Sequence, residues 1–501
     1  MGAGLAVAVS GNPRAQRWLS FFTLSAVLVV AVILLFAADG GPLVVNVGGW
    51  AAPVGISLVA DRLSSVMLAV SAAVTLCVLL YALAQALSVG DPESPVAIFH
   101  PTYMALTAGV AMCFLSGDLF NLYVGFEVLL VASYVLITLG GTSPRIRAGT
   151  IYVVVAVISS VILLVAIGLI YSATGTLNMA QLAMRLPEID AGIRLVLQLL
   201  LLIAFSIKAA VFPFAAWLPD SYPTAPAPVT AVFAGLLTKV GIYGILRTQT
   251  TLFDDSQADA LLMWAALVTM IVGILGAVAQ SDLKRLLSFT LVSHIGFMLF
   301  GISLASQAGL AAAIFYVLHH ITVQTALFLV AGLIEARGGT TSLNRLGGLA
   351  RSTPVLAILF LIPAFNLSGI PPLSGFLGKL GLLQAGVELG STLAYTLVAG
   401  GVLTSLLTLY VMVKAWNKAF WQMPVGEETR AALPRSMVGT TAALVALGFS
   451  FTLIAGPIYS YTERAASDLR SQVPYIQSVL TEGDRGEGPS PDAAAEAGVA
   501  P

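Results

Sequence analysis

The sequence predicts an all-α polytopic membrane protein. Of its 501 residues, 58% are hydrophobic and only 9% are charged, whereas a soluble globular domain carries roughly 25% charged residues. Apolar runs close to the roughly 20 residues that cross a bilayer as a helix recur along the chain. Composition therefore excludes a soluble fold for everything except residues 461–501.

Thirteen apolar runs are candidate membrane spans. The first twelve residues, MGAGLAVAVSGN, are apolar but too short to cross, and they lack the basic head and cleavage site of a signal peptide. We therefore expect a shortened first helix followed by about 13 full spans. The predicted spans are 18–37, 57–87, 99–116, 119–139, 147–173, 192–212, 226–247, 258–280, 286–304, 308–335, 354–388, 391–413 and 436–458.

The basic residues predict which ends of the spans face the cytoplasm. If GNPRAQR is cytoplasmic, every second loop lies on the cytoplasmic side as well. These cytoplasmic segments hold 13 of the 23 Lys and Arg residues, whereas the loops on the opposite side hold four. This asymmetry is the one that positive-inside topology produces. It puts the C-terminal tail outside the cytoplasm. No basic cluster suggests a nucleic-acid partner.

Four charged residues lie inside apolar runs. Glu127 is the only one of the 24 acidic residues placed there, and Lys208, Lys239 and Lys379 accompany it. A charged side chain at the centre of a span costs about 2.5–3.5 kcal/mol, so such residues are functional by default. One carboxylate cannot neutralise three ammonium groups, so we expect some lysines to lie in wet cavities or to lose their protons. The alternative is a purely structural ion pair between Glu127 and Lys208.

Histidines add further groups that can exchange protons near neutral pH. His294 lies in SFTLVSHIGFMLF, and His319 and His320 lie in FYVLHHITVQTALF. Tyr316, His320 and Gln324 recur every four residues and share one helix face. A polar stripe in an apolar span predicts a path for protons, although a lone histidine such as His294 can also be a packing residue.

Prolines predict helix breaks beside two of the lysines. Pro213 lacks an amide proton and follows Lys208 by five residues, so the helix should break about one turn after Lys208. Pro371 and Pro372 likewise interrupt a span ahead of Lys379. Broken helices at matching positions of two five-helix units are typical of inverted-repeat transporters.

Three long stretches carry a resemblance to a known family. The runs FNLYVGFEVLL, LPDSYPTAPAPVTAVFAGLLTKVG and SGFLGKLGLLQAG resemble the D subunits of Mrp-type Na+/H+ antiporters. These subunits belong to the superfamily of antiporter-like subunits shared with respiratory complex I. The resemblance implies fourteen helices, two inverted five-helix repeats with broken helices, and a hydrated axis through the membrane centre.

The resemblance also implies roles for particular residues. Glu127, Lys208, Lys239 and Lys379 match the family's glutamate and lysines, and His319 and His320 fall on the helix that links the two halves. Relatives commonly carry His-x-x-x-Lys where this chain has His320 followed by Gln324. We therefore expect the histidines and water to connect Lys239 with Lys379.

We divide the chain into five regions on this basis. They are N-terminal helices (1–98), a first antiporter-like repeat (99–247), a second repeat (258–418), a C-terminal span (436–460) and a soluble, disordered tail (461–501).

The predicted function is proton translocation within a multisubunit Na+/H+ antiporter of the bacterial plasma membrane. The partners implied by the resemblance are the other Mrp subunits (A, B, C, E, F and G). One alternative is a proton-pumping subunit of an NADH-quinone oxidoreductase or membrane hydrogenase, and another is a scaffold that transports nothing. The sequence shows no nucleotide loop, metal cluster or nucleophile triad, so we expect a transporter without a cofactor or metal.

Overall fold

The structure is a computed structural model that describes residues 1–89, 96–254, 258–423 and 432–480. Among these residues, 12 helices are long and apolar enough to cross a membrane. The predicted span 354–388 is two shorter helices separated by a break at Pro371 and Pro372, where the prolines predicted one. With this broken span the helices account for the thirteen predicted spans, and a short helix precedes them.

The N-terminal half contains helices α1 to α8. Asn12, Asp118 and Asp190 begin three of them by accepting hydrogen bonds from backbone amides of the first turn. The bounds are α1 Gly2–Ala8, α2 Pro13–Ala37, α3 Arg62–Val89, α4 Val96–Leu115, α5 Leu119–Ile137, α6 Ser143–Thr174, α7 Met179–Arg185 and α8 Ala191–Ala209.

The central and C-terminal parts contain α9 to α21. A π-helical segment, Phe233–Leu237, joins α10 to α11 without interrupting the rod, and a second π-helical segment, Asn417–Trp421, extends α18. The bounds are α9 Trp217–Ser221, α10 Ala227–Val232, α11 Thr238–Thr251, α12 Asp259–Ala279, α13 Leu283–Ser303, α14 Gln307–Gly338, α15 Leu349–Ser352, α16 Pro354–Ser368, α17 Ser374–Leu389, α18 Thr392–Trp416, α19 Arg435–Leu453, α20 Ala455–Ser471 and α21 Val473–Val479.

Three of the spans form the centre of the bundle. The most apolar stretches of the rod 227–251 and of α14 are completely buried, and that of α13 is 94% buried, whereas only 17% of that of α2 is buried. The charged and titratable residues predicted from the sequence are concentrated on or beside these central helices. Except for Glu127, which is half-buried, these residues are enclosed by protein.

The structure differs from the predicted fold in two places. A small antiparallel hairpin, β1 Leu43–Asn46 and β2 Ser57–Ala60, follows α2 and pairs Leu43 with Ala60. Residues 461–480, predicted to be a soluble, disordered tail, form most of α20 and all of α21. These helices pack on the bundle through buried residues such as Leu469 and Tyr475, because α20 has one apolar face. Residues 481–501 of the predicted tail lie outside the described residues.

Candidate functional site

Lys208 lies at a helix end. Helix α8 stops at Ala209, one residue after Lys208, and Ala210 adopts a left-handed conformation with φ 59°. The break therefore comes earlier than the predicted full turn beyond Lys208. The amide of Val211 closes the helix by donating to the carbonyl of Ser206 at 2.9 Å, and the amide of Phe212 donates to Thr269 Oγ1 at 3.1 Å.

The ammonium group of Lys208 is held by a hydroxyl rather than by the predicted carboxylate. Its Nζ donates to Ser160 Oγ at 3.1 Å and lies 4.8 Å from the centre of the Phe126 ring. A cavity of about 20 Å³ borders Lys208, which is room for about one water molecule. Glu127 is near enough to interact with Lys208 electrostatically, but no direct ion pair joins them, and Glu127 Oε1 is buried without a hydrogen-bond partner.

Lys239 is fully buried beside the π-helical segment. Its Nζ donates to the carbonyl oxygen of Ala234 at 2.5 Å. A π-helical turn shifts the regular backbone pattern and can leave a carbonyl without its usual amide partner. Because helical side chains lean toward the N-terminus, Lys239 reaches back along its own helix to this carbonyl.

The histidines of α13 and α14 form a cluster in the centre of the bundle. His294 Nδ1 and the Tyr316 hydroxyl share a hydrogen bond of 2.6 Å, and His294 Nε2 lies 3.5 Å from Thr408 Oγ1. The His320 ring centre is 5.3 Å from that of His294. The cluster thus includes three of the residues that the sequence analysis selected, namely His294, Tyr316 and His320.

His319 points to the second helix break. Its Nδ1 is 3.0 Å from Ser374 Oγ, and that hydroxyl donates to Asn366 Oδ1 at 3.2 Å. Asn366 Oδ1 also accepts from the amide of Gly375 at 2.8 Å. Asn366 and Ser374 belong to the two half-helices α16 and α17, so this network connects α14 with both sides of the break.

Lys379 binds the open end of the first half-helix. Pro371 and Pro372 lie in the non-helical segment between α16 and α17. From α17, Lys379 Nζ donates to the carbonyls of Leu367 and Ser368 at 3.0 and 3.1 Å, and it lies 4.9 Å from the centre of the Phe297 ring. An ammonium group is favourable here, because the C-terminal carbonyls of a helix carry partial negative charge.

Several buried polar atoms of α14 have no hydrogen-bond partner among the described residues. They include both ring nitrogens of His320, His319 Nε2 and Gln324 Oε1, although Gln324 Nε2 donates to the Leu287 carbonyl at 2.8 Å. Buried polar groups left without protein partners are commonly satisfied by ordered water. All of these unpaired atoms belong to residues of α14, at the centre of the bundle.

The sequence analysis missed several polar partners. Ser160, Ser374 and Asn366 gave no signal, because single polar residues in spans are frequent. Arg247, one of the four basic residues that it counted in the extracytoplasmic loops, is buried and bonded to Asp61 at 2.6 and 2.9 Å. No group of three or more His, Cys, Asp and Glu residues suited to a metal ion is found within the described ranges.

The fold is that of a polytopic membrane protein with lysines and histidines buried at its centre, and the comparisons place it among membrane transport proteins. Residues 116–408 match the transmembrane domain family described as NADH:quinone oxidoreductase/Mrp antiporter. This match covers more than half of the chain.

Relatives with known names show to which group of this family the chain belongs. The chain is 41% identical to the D subunit of the Na(+)/H(+) antiporter of Alkalihalophilus pseudofirmus, over 93% of this chain and 94% of that protein. It is 36% identical to the D subunit of the Na(+)/H(+) antiporter of Bacillus subtilis, over 91% and 92%. The chain therefore belongs to the NADH:quinone oxidoreductase/Mrp antiporter family, and within it to the Na(+)/H(+) antiporter D subunits.

Solved structures agree with this assignment. A chain of the Mrp complex from Dietzia sp. DQ12-45-1b superposes with a TM-score of 0.88 at 34% identity, covering 96% of this chain and 97% of that one. A chain of an archaeal respiratory complex, the membrane-bound sulfane sulfur reductase, gives 0.85 at 25% identity, with 95% and 99% covered. The same fold thus occurs in an Mrp complex and in a respiratory complex.

Proposed function

We propose that this chain carries protons across the membrane as the D subunit of a multisubunit Na+/H+ antiporter. One observation supports the proposal above others. Lys208 lies in the last turn of α8, the ammonium group of Lys379 lies at the C-terminal end of α16, and neither lysine binds a carboxylate of the described residues. Along the sequence, Lys239, the histidine cluster and His319 lie between them. Purely structural lysines would be expected in ion pairs, as Lys284 is with Glu335 at 2.6 Å.

Proton movement would begin at Lys208. We propose that its side chain alternates between Ser160 and Glu127, because the hydroxyl is its present partner and Glu127 Oε1 is unpaired. Pairing with the carboxylate stabilises the ammonium form, and separation in a buried site favours release of the proton. The proton would then pass by way of Lys239, His320 and His319 to Lys379, with water completing the hydrogen bonds.

Sodium coupling would depend on partner subunits. Na+ is a hard cation that favours several oxygen ligands, and among the described residues Glu127 is the only acidic residue well inside a span. We propose the other Mrp subunits (A, B, C, E, F and G) as those partners and the bacterial plasma membrane as the location. The tail beyond α19 would lie on the extracytoplasmic side, as the basic residues predict.

The test is Na+-induced collapse of a respiration-generated pH gradient in everted vesicles from an antiporter-deficient host. The whole gene cluster is expressed with the wild-type chain, with Lys208→Ala or with Lys418→Ala. Lys418 is partly exposed at the surface and donates to Asn344 Oδ1 at 2.7 Å, so it provides a matched control for loss of a lysine. We expect collapse with the wild-type and Lys418→Ala chains and none with Lys208→Ala at equal membrane levels.

Two outcomes would contradict the proposal. Normal exchange by a correctly inserted Lys208→Ala chain would exclude Lys208 from the proton path. Absence of any cation-dependent collapse with an assembled wild-type complex would favour the second candidate, a proton-pumping subunit of a redox complex, which the likeness to the respiratory complex supports.

A further inference from the structure

The second helix break is bonded to a residue of α19, the C-terminal span. The first amides of a helix have no partner within that helix, and a side chain of the preceding residue often accepts from them. Helix α17 is preceded by Leu373, whose side chain has no acceptor. The amide of Ser374 instead donates to Thr452 Oγ1 at 2.9 Å. The start of α17 is therefore held by a neighbouring span.

Ser374 links this contact to the polar groups at the centre of the bundle. Its hydroxyl is 3.0 Å from His319 Nδ1 and donates to Asn366 Oδ1 at 3.2 Å. Lys379 follows on the same helix and donates to the carbonyls at the end of α16. The bond from Thr452 thus fixes the backbone that carries both the hydroxyl beside His319 and the ammonium group of Lys379.

The first helix break has an equivalent contact. The amide of Phe212, four residues after Lys208, donates to Thr269 Oγ1 at 3.1 Å. Thr269 belongs to α12 and is fully buried. Pro213, the next residue, has no amide proton to donate. At both breaks a threonine hydroxyl from a span later in the chain accepts a hydrogen bond from a backbone amide of the interrupted segment.

Helix α19 also borders α14 beside His319. Gly448 lies one turn before Thr452, and a Cβ at Gly448 would be 3.4 Å from Thr322 Oγ1. The Thr322 hydroxyl in turn donates to the carbonyl of His319 at 2.8 Å. Consecutive turns of α19 therefore contact the helix that carries His319 and the helix that carries Lys379.

We propose that Thr452 and Thr269 are positioning residues for proton transfer, which hold the backbone of the two breaks so that Lys379 and Lys208 keep their places. This inference rests on the proposed function. A hydroxyl suits the position because it accepts from the free amide while it donates to its own helix, as Thr269 does to the Ala265 carbonyl at 2.5 Å. It also adds no charge near a lysine. Helix α19 would thereby contribute to transport through a hydroxyl rather than a titratable group.

The first test measures Na+-induced collapse of the pH gradient with the whole gene cluster in everted vesicles. Thr452→Val keeps the shape of the side chain and removes the acceptor, so we expect the maximal rate to fall roughly two- to tenfold. The Na+ concentration for half-maximal rate should stay the same, because Thr452 contacts a break on the proposed proton path. Thr452→Ser restores the acceptor and should return the rate to near wild type. We expect Thr269→Val to lower the maximal rate in the same way.

Thr441→Val is the matched control. Thr441 is buried on the same helix as Thr452, but its hydroxyl donates to the carbonyl of Met437, within that helix, at 2.8 Å. Its variant should exchange at the wild-type rate. An equal loss of rate in Thr441→Val and Thr452→Val, or a Thr452→Ser variant as slow as Thr452→Val, would overturn the role of the Thr452 hydroxyl.

The second test is hydrogen–deuterium exchange at the Ser374 amide of the purified complex, read at single-residue resolution by mass spectrometry. Loss of the acceptor in Thr452→Val should speed deuterium uptake at this amide roughly two- to tenfold, whereas Thr441→Val should leave it unchanged. Unchanged uptake in Thr452→Val would show that the bond does not hold the break. Faster uptake with a wild-type transport rate would show that the bond does not position the transfer groups.

The two proposals fail in different ways. Lys208→Ala is measured in the same vesicles, and normal exchange by that variant would contradict the proposed function. Normal exchange by Thr452→Val, with Lys208→Ala inactive, would overturn only the positioning role of the threonine.

Discussion

Lys379 Nζ and the carbonyl oxygen of Leu367 are 3.0 Å apart, across the break between two half-helices. Lys208 is also at the end of a half-helix, but it belongs to that helix and bonds to Ser160 on a neighbouring one. The two lysines therefore have similar positions in the fold and different partners. Lys379 neutralises the carbonyl end of a helix, whereas a single hydroxyl holds Lys208.

The first prediction separates a structural role of Lys379 from proton transfer. Lys379→Arg keeps a positive group that can donate to the carbonyls of Leu367 and Ser368, but arginine does not release its proton in proteins. We expect exchange in everted vesicles to fall to the level of vesicles without the chain, while complex assembly stays close to wild type. Lys379→Met should lose both exchange and some assembly. Wild-type exchange by Lys379→Arg would show that Lys379 only stabilises the helix end.

The second prediction concerns the partner of Lys208. Ser160→Ala removes the hydroxyl, and a hydrogen bond to a charged group contributes about 1.5–3 kcal/mol. The ratio of Lys208 side chains near Glu127 to those near residue 160 should therefore rise by a factor of roughly ten or more. Because the carboxylate stabilises the ammonium form, we expect slower exchange whose half-maximal pH moves upward. The measurement is the initial rate of Na+-induced gradient collapse at several pH values.

Ser159→Ala is the matched control for that measurement. Ser159 precedes Ser160 but donates to the carbonyl of Ala204 at 2.8 Å rather than interacting with Lys208. Its pH profile should stay at the wild-type position. An unchanged profile in Ser160→Ala, or an equal change in both variants, would contradict the alternation of Lys208 between two partners.

The third prediction tests the packing at the second break. An added Cβ at Gly375 would lie 1.9 Å from the Asn366 carbonyl oxygen and 3.0 Å from His319 Cε1. Gly375→Ala must therefore push α16 and α17 apart and disturb the bond between His319 and Ser374. We expect a lower midpoint of thermal unfolding and little exchange.

Gly168→Ala is the comparison for Gly375→Ala, because Gly168 lies inside α6 and a Cβ there meets nothing within 4 Å. It should unfold at the wild-type temperature or slightly above, since alanine favours helix over glycine by about 1 kcal/mol. Equal thermal midpoints for the two variants would disprove the close contact at the break.

Patterns within single segments predicted the spans and the helix breaks. Apolar length identified the spans, and the prolines near Lys208 and Lys379 identified the breaks, because both signals are local. Residue chemistry also selected Glu127, the lysines and the histidines as the unusual groups in an apolar chain. Their roles remain predictions that the transport experiments test.

Long-range partners could not be predicted in the same way. Asp61 and Arg247 are 186 positions apart, and nothing in either segment points to the other. Tyr461, which donates to the Leu35 carbonyl at 3.1 Å, lies in a segment whose composition suggested a soluble tail. Such contacts depend on how the helices assemble, so a single sequence contains little information about them.

The last prediction concerns the buried ion pair between Asp61 and Arg247, whose side chains are 8% and 3% exposed. Burial by itself would raise the pKa of the Asp61 carboxyl. The charge and hydrogen bonds of Arg247, together with hydrogen bonds from Ser64, instead lower that pKa below its usual value. A carboxyl whose pKa is lowered by folding stabilises the protein above its unfolded pKa. This contribution should persist at neutral pH and disappear only as the pH falls through the folded pKa.

Asp61→Asn removes the charge and leaves Arg247 buried without a counter-ion. Breaking a buried pair in this way costs about 3–5 kcal/mol, so the thermal midpoint of the purified complex should fall clearly at pH 7. Asp220→Asn is the control, because the pair of Asp220 with Arg285 is about half exposed and such pairs contribute about 0–1 kcal/mol. If Asp61→Asn unfolded at the same temperature as Asp220→Asn, the buried pair would not stabilise the contact between the start of α3 and α11.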